Sequence, residues 1–100
     1  ELGKKADLGQ VEDAFSRFNP LKNLNLPSAP NPPIIIREEI DRPQPKYDRD
    51  LGNGMAVCVG RIRKCNILDY RFLVLSHNTV RGAAGAAILN AELMKVKGLI

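Results

Sequence analysis

Two hydrophobic segments of the sequence, MAVCVGRIR at residues 55–63 and YRFLVLS at residues 70–76, indicate the centre of the fold. The first segment begins apolar on both faces and then alternates, and the second is a hydrophobic run of similar length, so both are predicted to be strands. The turn signal GNG at residues 52–54 precedes the first strand. Because residues 64–69 form a short connection, the two strands are predicted to pair as an antiparallel hairpin.

Toward the amino terminus, the pattern predicts a short amphipathic helix over residues 8–18. Asp7 and Gln10 have the spacing of a capping box, and apolar residues then recur three and four positions apart. Asn19-Pro20 should end this helix, because proline disfavours a helical conformation in the residue before it.

Between this helix and the hairpin, residues 20–33 contain five prolines and favour an extended connection. Ile34-Ile35-Ile36 then predicts a short buried strand. The charged and proline-broken residues 37–54 predict a long loop, and loops of this length tend to be functional or interface-forming.

The carboxyl-terminal residues 80–97 predict the longest helix, with Gly98 at the position of a C-terminal cap. The helix is apolar nearly all round, which is typical of a buried helix, and Gly82 and Gly85 leave space for another backbone to approach. Since a domain of 100 residues cannot easily enclose such a helix, we expect further chain or a partner subunit to cover it.

The charge of the chain does not predict a nucleic-acid partner. Fifteen Lys and Arg against eleven Asp and Glu give a formal charge of +4. The charges are interspersed, however, and the basic cluster Arg61, Arg63, Lys64 and Arg71 is interrupted by Asp69, so a solvated face is favoured.

Several protein classes are disfavoured by composition. No stretch approaches the roughly 18 consecutive apolar residues of a membrane span, and the charged opening lacks the features of a signal peptide. Two cysteines do not suggest a disulfide scaffold, so we expect a cytoplasmic location, and a single histidine leaves no pattern for a structural zinc site.

The most informative local feature is the junction Ser76-His77-Asn78-Thr79 between a hydrophobic strand and a helix. Such junctions present unpaired backbone N–H groups and the positive end of the helix dipole, and the Asn78 amide can both donate and accept hydrogen bonds. Two interpretations remain open from the residues alone: a ligand contact, or capping of the helix by Asn78 or Thr79, which is favoured.

Two other chemical interpretations of the residues are weaker. The segment GAAG at residues 82–85 lies inside the helix pattern and lacks the spacing of a phosphate-binding loop, so it is better explained by close packing. A nucleophilic pair of Cys58 or Cys65 with His77 is formally possible, but Cys58 lies in an apolar strand, where cysteine usually acts as a small hydrophobic residue.

Five segments carry a resemblance to a known family: RPQP at 42–45, DRDLGNGM at 48–55, VGRIR at 59–63, HNTVRGAAG at 77–85 and LNAE at 89–92. Together they resemble the carboxyl end of aspartate-semialdehyde dehydrogenase of the archaeal and fungal type. The resemblance is specific from about residue 42 onward and looser over residues 1–41.

This resemblance implies an α/β fold. Residues 1–76 would be a portion of a catalytic and dimerisation domain with glyceraldehyde-phosphate-dehydrogenase-like architecture. Residues 77–100 would be the helix that returns to the NADP-binding Rossmann domain. It also implies a homo-oligomer, a dimer or a tetramer, in which the remainder of the same polypeptide supplies the nucleotide-binding domain.

The resemblance further implies an enzyme that uses NADPH to reduce aspartyl phosphate to the semialdehyde, on the way to lysine, threonine and methionine. Asn78 matches the family's asparagine that holds the nicotinamide end of NADP, with Thr79 beside it. The family's nucleophilic cysteine and acid/base histidine match no position here, so Cys58, Cys65 and His77 do not inherit those roles. The 100 residues alone are expected to be inactive.

Two alternatives remain open. A malonyl-CoA reductase is similar at this end of the chain but acts on a thioester, and no residue here separates the two substrates. From a different class, the chain would be a small binding module whose basic hairpin contacts acidic partners. A self-contained module should be monomeric, whereas a portion of a larger enzyme should expose its apolar helix.

Overall fold

The three predicted strands form one mixed sheet in the order β1–β2–β3, as seen in a computed structural model that describes residues 1–100. Strand β1 (Ile34–Arg37) runs parallel to β2 (Val57–Lys64), and β3 (Tyr70–Leu75) runs antiparallel to β2. The predicted hairpin and the α/β class are therefore confirmed. Strand β1 lies at the sheet edge and is only half-buried, so the expectation of a buried strand was wrong.

The helices complete the chain order. Helix α1 spans Leu8–Arg17, a 3-10 turn spans Lys22–Leu24, the single-turn helix α2 spans Pro45–Asp48, and a π-helical turn, Val80–Ala84, leads into α3, Gly85–Val96. None of these helices is both long enough and apolar enough to cross a membrane.

Helix α1 has the predicted capping box and packs on the sheet. The Asp7 carboxylate accepts a hydrogen bond from the Gln10 backbone N–H at 2.8 Å, and the Asp7 backbone N–H donates to the Gln10 side chain at 2.9 Å. The ring of Phe15 meets Phe72 of β3 edge-on, with 5.2 Å between ring centroids. The capping box fixes where the helix begins, and the aromatic pair fixes which face it turns toward the sheet.

Strand β2 contains a bulge between Gly60 and Arg63, with Arg61 at a positive φ of 53°. Gly60 is required for packing, because a Cβ there would collide with the Arg42 carbonyl oxygen and with Pro43. The chain that follows β1 therefore crosses directly over the middle of β2. This close crossing brings residues 42–48 onto the sheet.

The segment of residues 37–54 is more ordered than the long loop that the sequence predicts. Arg37 belongs to β1, residues 45–48 form α2, and the segment folds around the buried carboxylate of Asp48. The prolines and charges of this segment predicted an irregular loop. Its charged side chains instead pair with one another, and these ion pairs hold the segment in place of the hydrogen bonds of a sheet or a helix.

The last helix differs from its prediction in two ways. Its first turn is π-helical, and within these 100 residues only Leu89 of α3 is buried. Leu89 joins Leu26 and Met55 in a small core, while the side chains of Ile88 and Met94 stay 55% and 41% exposed. The predicted burial of this helix is therefore not provided by the chain itself, because the contacts of Leu89 with Leu26 and Met55 cover only one side of it.

Candidate functional site

The strand-to-helix junction is built by the end of β3 and the widened turn that follows it. The Gly82 N–H donates to the His77 carbonyl at 2.9 Å, and the Ala84 N–H donates to the Thr79 carbonyl at 3.1 Å. Both bonds span five residues, which is the spacing of a π-helix and is often found at functional sites. The turn opens with Asn78 and Thr79 before the ordinary α-helical spacing starts at Gly85.

The backbone donors at the start of this turn are capped by His77. Its Nδ1 atom lies 3.2 Å from the Val80 backbone N and 3.3 Å from the Thr79 backbone N. The prediction that Asn78 or Thr79 caps the helix was wrong, since Thr79 makes no capping hydrogen bond with its side chain. A side-chain cap reaches N–H groups two and three residues ahead, and these donors lie two and three residues after His77.

This arrangement determines the tautomer of the His77 ring. Nδ1 accepts hydrogen bonds, so it carries no proton, and in the neutral ring the proton lies on Nε2. Nε2 is 3.7 Å from the Asp50 carboxylate. The negative charge of Asp50 therefore favours the tautomer that the cap requires.

Asn78 and Thr79 are both exposed to solvent at the junction. The hydrogen bonds of this region are made by the His77 ring and by backbone groups, which leaves the Asn78 amide free for a ligand. Gly82 lies next to this amide, since a Cβ there would be in van der Waals contact with the Asn78 side-chain oxygen, at 3.8 Å. The structure thus removes the capping role from Asn78 and leaves its side chain accessible.

The GNG turn packs against the back of the junction. A Cβ on Gly54, whose φ is +79°, would approach Val80 at 3.1 Å and the His77 ring at 3.3 Å, so a larger residue does not fit. A Cβ on Gly85 would collide with the Met55 sulfur. Gly85 therefore permits a close approach, but its neighbour is the Met55 side chain and not the backbone that the sequence predicted, and Gly82 has no close neighbour from another element.

A cleft of about 400 Å³ lies beside this contact. It is lined by residues 27–31, residues 52, 53 and 55, and by Val80 and Gly85. Ser28 ties one wall of the cleft to α3, since its backbone N–H and hydroxyl both donate to the Glu92 carboxylate, at 2.9 and 2.8 Å. The widened turn therefore forms part of a concave surface.

Asp48 organises the segment that leads to the GNG turn, and sequence reasoning missed it. Its Oδ1 accepts from the Arg37 Nε at 3.0 Å and the Arg42 Nη2 at 2.5 Å. Its Oδ2 accepts from the Arg42 Nε and the Gln44 backbone N–H, both at 2.8 Å. The only signal in the sequence is one acid among alternating charges, which does not identify its partners.

The electrostatics of this cluster follow from its hydrogen bonds. The Arg42 side chain, helped by the Gln44 N–H and by Arg37, holds the pKa of Asp48 well below its usual range despite burial. The same contact raises the pKa of Arg42. Asp48 is therefore a charged structural group at neutral pH and not a proton donor or acceptor for catalysis.

The cysteines do not form a nucleophilic pair with His77. The Cys58 thiol is fully buried and lies 3.6 Å from the Asp48 backbone carbonyl, and burial raises its pKa. Cys65 lies in the hairpin, where the Leu68 and Ile67 backbone N–H groups lower its pKa. His77 instead contacts Asp50, Thr79 and Val80, and no group of three or more His, Cys, Asp or Glu side chains is arranged to hold a metal.

The chain belongs to the α/β class, because it combines a three-stranded mixed sheet with flanking helices and an open strand-to-helix junction. The family model described as semialdehyde dehydrogenase, dimerisation domain, matches residues 1–81. The chain belongs to this family.

Individual relatives extend the match beyond residue 81. The chain is 62% identical over 84 residues to an aspartate-semialdehyde dehydrogenase of Archaeoglobus fulgidus, which covers 84% of the chain and 24% of that relative. It is 51% identical over 97 residues to a malonyl CoA reductase (NADP) of Metallosphaera sedula, which covers 94% of the chain and 27% of that relative.

The fold also matches a solved structure. The crystal structure of aspartate semialdehyde dehydrogenase with NADP from Candida albicans superposes with a TM-score of 0.86 at 41% identity, covering 99% of this chain and 28% of that one. The chain thus spans roughly a quarter of the length of these relatives. The family resemblance seen in the sequence is confirmed, and the match favours the dehydrogenase interpretation over a small binding module.

Proposed function

We propose that this chain is the carboxyl-terminal portion of an NADP-dependent aspartate-semialdehyde dehydrogenase. The reaction is the reduction of L-aspartyl 4-phosphate by NADPH to aspartate 4-semialdehyde and phosphate. The observation that carries the proposal is 62% identity over 84 residues to an archaeal enzyme of that name. Because the chain corresponds to 24% of that relative, the activity belongs to the longer protein, and these 100 residues alone are expected to be inactive.

Asn78 and Thr79 are the proposed cofactor contacts of this chain. When bound, NADP supplies the hydride chemistry of the reaction. The Asn78 amide donates and accepts hydrogen bonds, as the carboxamide of a nicotinamide does, so the two groups are complementary. Three features support this fit: Asn78 is exposed, its amide has no competing capping role, and its backbone is held between His77, which caps the turn, and Thr79, the first capped residue.

The division of the chain into two parts is also a proposal. Residues 1–76 form a portion of the catalytic and dimerisation domain, and residues 77–100 form the helix that returns to the NADP-binding domain. The exposed apolar side chains of α3, among them Ile88 and Met94, support a covering partner for this helix. A helix with large apolar side chains on its open side is stable in water only when another surface buries them.

The family description, a dimerisation domain, supports association of subunits. We propose a homo-oligomer, a dimer or a tetramer, located in the cytoplasm. The exposed apolar side chains of β3, Leu73 and Val74, at 47% and 56% exposure, suit such an interface. We propose no nucleic-acid partner, because basic and acidic residues alternate along the sequence.

A malonyl-CoA reductase is the second candidate, because 51% identity over 97 residues does not separate it from the first. The full-length protein is assayed in two reactions. One follows NADPH formation from aspartate semialdehyde, NADP and phosphate, and the other follows NADPH oxidation by malonyl-CoA. Turnover only in the first supports the proposal, turnover only in the second replaces it with the reductase, and turnover in neither refutes both.

A further inference from the structure

We propose that His77 is a positioning residue for the cofactor site. Its Nδ1 atom holds the turn that presents Asn78, and the contact with Asp50 and Gly54 holds the ring in place. The inference rests on the proposed role of Asn78 toward NADP. It assigns to His77 a part in cofactor binding without any contact between His77 and the reacting atoms.

The turn before α3 depends on a single nitrogen atom, Nδ1 of His77. The Thr79 and Val80 N–H groups both point to His77 Nδ1, at 3.3 and 3.2 Å, and Thr79 contributes no side-chain cap. Asn78 lies between His77, whose ring accepts these hydrogen bonds, and Thr79, the first residue whose N–H donates to it. With the His77 carbonyl also bound by the Gly82 N–H at 2.9 Å, the backbone on both sides of Asn78 is fixed by His77.

The His77 ring is itself held in place by its neighbours. The His77 side chain is only 23% exposed, and its Cδ2 edge lies against Gly54, where no Cβ fits without a close contact. The neighbouring ring atom, Nε2, faces the Asp50 carboxylate at 3.7 Å. Packing therefore sets the plane of the ring, and the charge of Asp50 favours the tautomer with a free Nδ1 lone pair.

The residues that support the His77 ring are in turn anchored to the rest of the fold. Asp50 and Gly54 belong to the segment whose start is anchored by the four hydrogen bonds to the Asp48 carboxylate. Displacement of that segment would move both supports of the His77 ring. The orientation of Asn78 thus depends on a contact between two parts of the chain that are more than 20 residues apart.

The test uses two amide substitutions that differ in reach. In His77→Asn the side-chain oxygen occupies the position of Nδ1 and can accept from the same two N–H groups. In His77→Gln the oxygen reaches the position of Nε2 and leaves the turn without its cap. The full-length protein is measured in two ways: hydrogen exchange of the Thr79 and Val80 amides, and the Kd for NADPH from its fluorescence.

We expect His77→Asn to keep both amides protected and the Kd for NADPH within about twofold of the unmodified protein. His77→Gln should speed exchange of both amides and raise the Kd by about five- to tenfold, the factor that corresponds to loss of one capping interaction. Faster exchange with an unchanged Kd would overturn the proposal and reduce His77 to a purely structural cap. Equal losses in both variants would also overturn it, because the Nδ1 acceptor would not be the essential feature.

Two further variants keep the test decisive. Asp50→Asn replaces an exposed residue, so the protein is expected to fold, and it should raise the Kd about fourfold by weakening the preference for the correct tautomer. If His77→Gln does not fold, an unchanged Kd together with unchanged amide protection in Asp50→Asn counts against the proposal. Asn78→Ala separates the two proposals, since an unchanged Kd in that variant refutes the cofactor role of Asn78 whatever His77 does.

Discussion

Replacing Asp48 by asparagine should cost the protein about 2–4 kcal/mol of unfolding free energy. The Asp48 side chain is 0% exposed, and its carboxylate accepts four hydrogen bonds from three residues. An asparagine of the same shape keeps one oxygen acceptor but turns an NH₂ group toward the Arg42 fork. Two guanidinium groups then face no anion.

The size of the effect follows from the burial of the partners. Breaking a fully buried ion pair costs about 3–5 kcal/mol, because the remaining charge is left without compensation. Arg37 and Arg42 remain 27% and 19% exposed, so water can partly solvate them after the change, and the expected cost is somewhat lower. The loss of a charged hydrogen bond to the Gln44 N–H acts in the same direction.

The assay is urea unfolding of the full-length protein, with Asp13→Asn as the matched control. Asp13 is 52% exposed and pairs only with Arg17 one helical turn away, so its replacement should cost at most about 0.5 kcal/mol. A loss for Asp48→Asn no larger than that of the control would refute the reasoning that the Asp48 carboxylate organises residues 37–54.

Further predictions concern the acid sensitivity of Asp48, the role of Asn78 and the close crossing at Gly60. Because the pKa of Asp48 is lower in the folded than in the unfolded state, its stabilisation is complete above about pH 4 and lost as the pH falls toward the folded-state value. Acid unfolding monitored by circular dichroism should therefore be less steep in Asp48→Asn than in the unmodified protein, and an identical pH dependence would contradict this. Asn78→Ala in the full-length enzyme should raise the KM for NADP and lower kcat, with a combined loss of about 1–3 kcal/mol in transition-state stabilisation. Asn78→Ala should also leave the unfolding midpoint unchanged, because His77 and not Asn78 caps the turn, and a clear loss of stability would argue against that assignment. Gly60→Ala should destabilise the protein by about 1–3 kcal/mol, since its Cβ would collide with the Arg42 carbonyl, whereas Gly3→Ala, in open space, should be neutral in the same urea titration.

Much of the secondary structure could be predicted because it depends on neighbours in the chain. The capping box of α1 joins residues three apart, and the hairpin of β2 and β3 needs only strand periodicity and a short turn. The boundaries moved by one or two residues: β2 begins at Val57 instead of 55, and α3 follows a π-helical turn that no local pattern indicates.

The candidate site was located by sequence only in part. The position of Asn78 at a strand-to-helix junction was correctly identified, because strand and helix patterns meet there. The choice of capping residue was wrong, since an imidazole is a less common cap than Asn or Thr. The imidazole of His77 is a suitable cap here because Gly54 and Asp50, from another part of the chain, hold the ring in place.

The strands, the first helix, the family and the place of the junction could be predicted from residue type and short spacing. The burial of Asp48, its pairing with two arginines and the nitrogen that caps the turn before α3 follow from contacts between distant residues. The physical reason is the parallel pairing of β1 with β2, which carries residues 42–48 across Gly60 and brings the GNG turn against His77. Charge pairing and close packing between such distant residues depend on strand register and crossing, and these are properties of the folded chain that no local pattern contains.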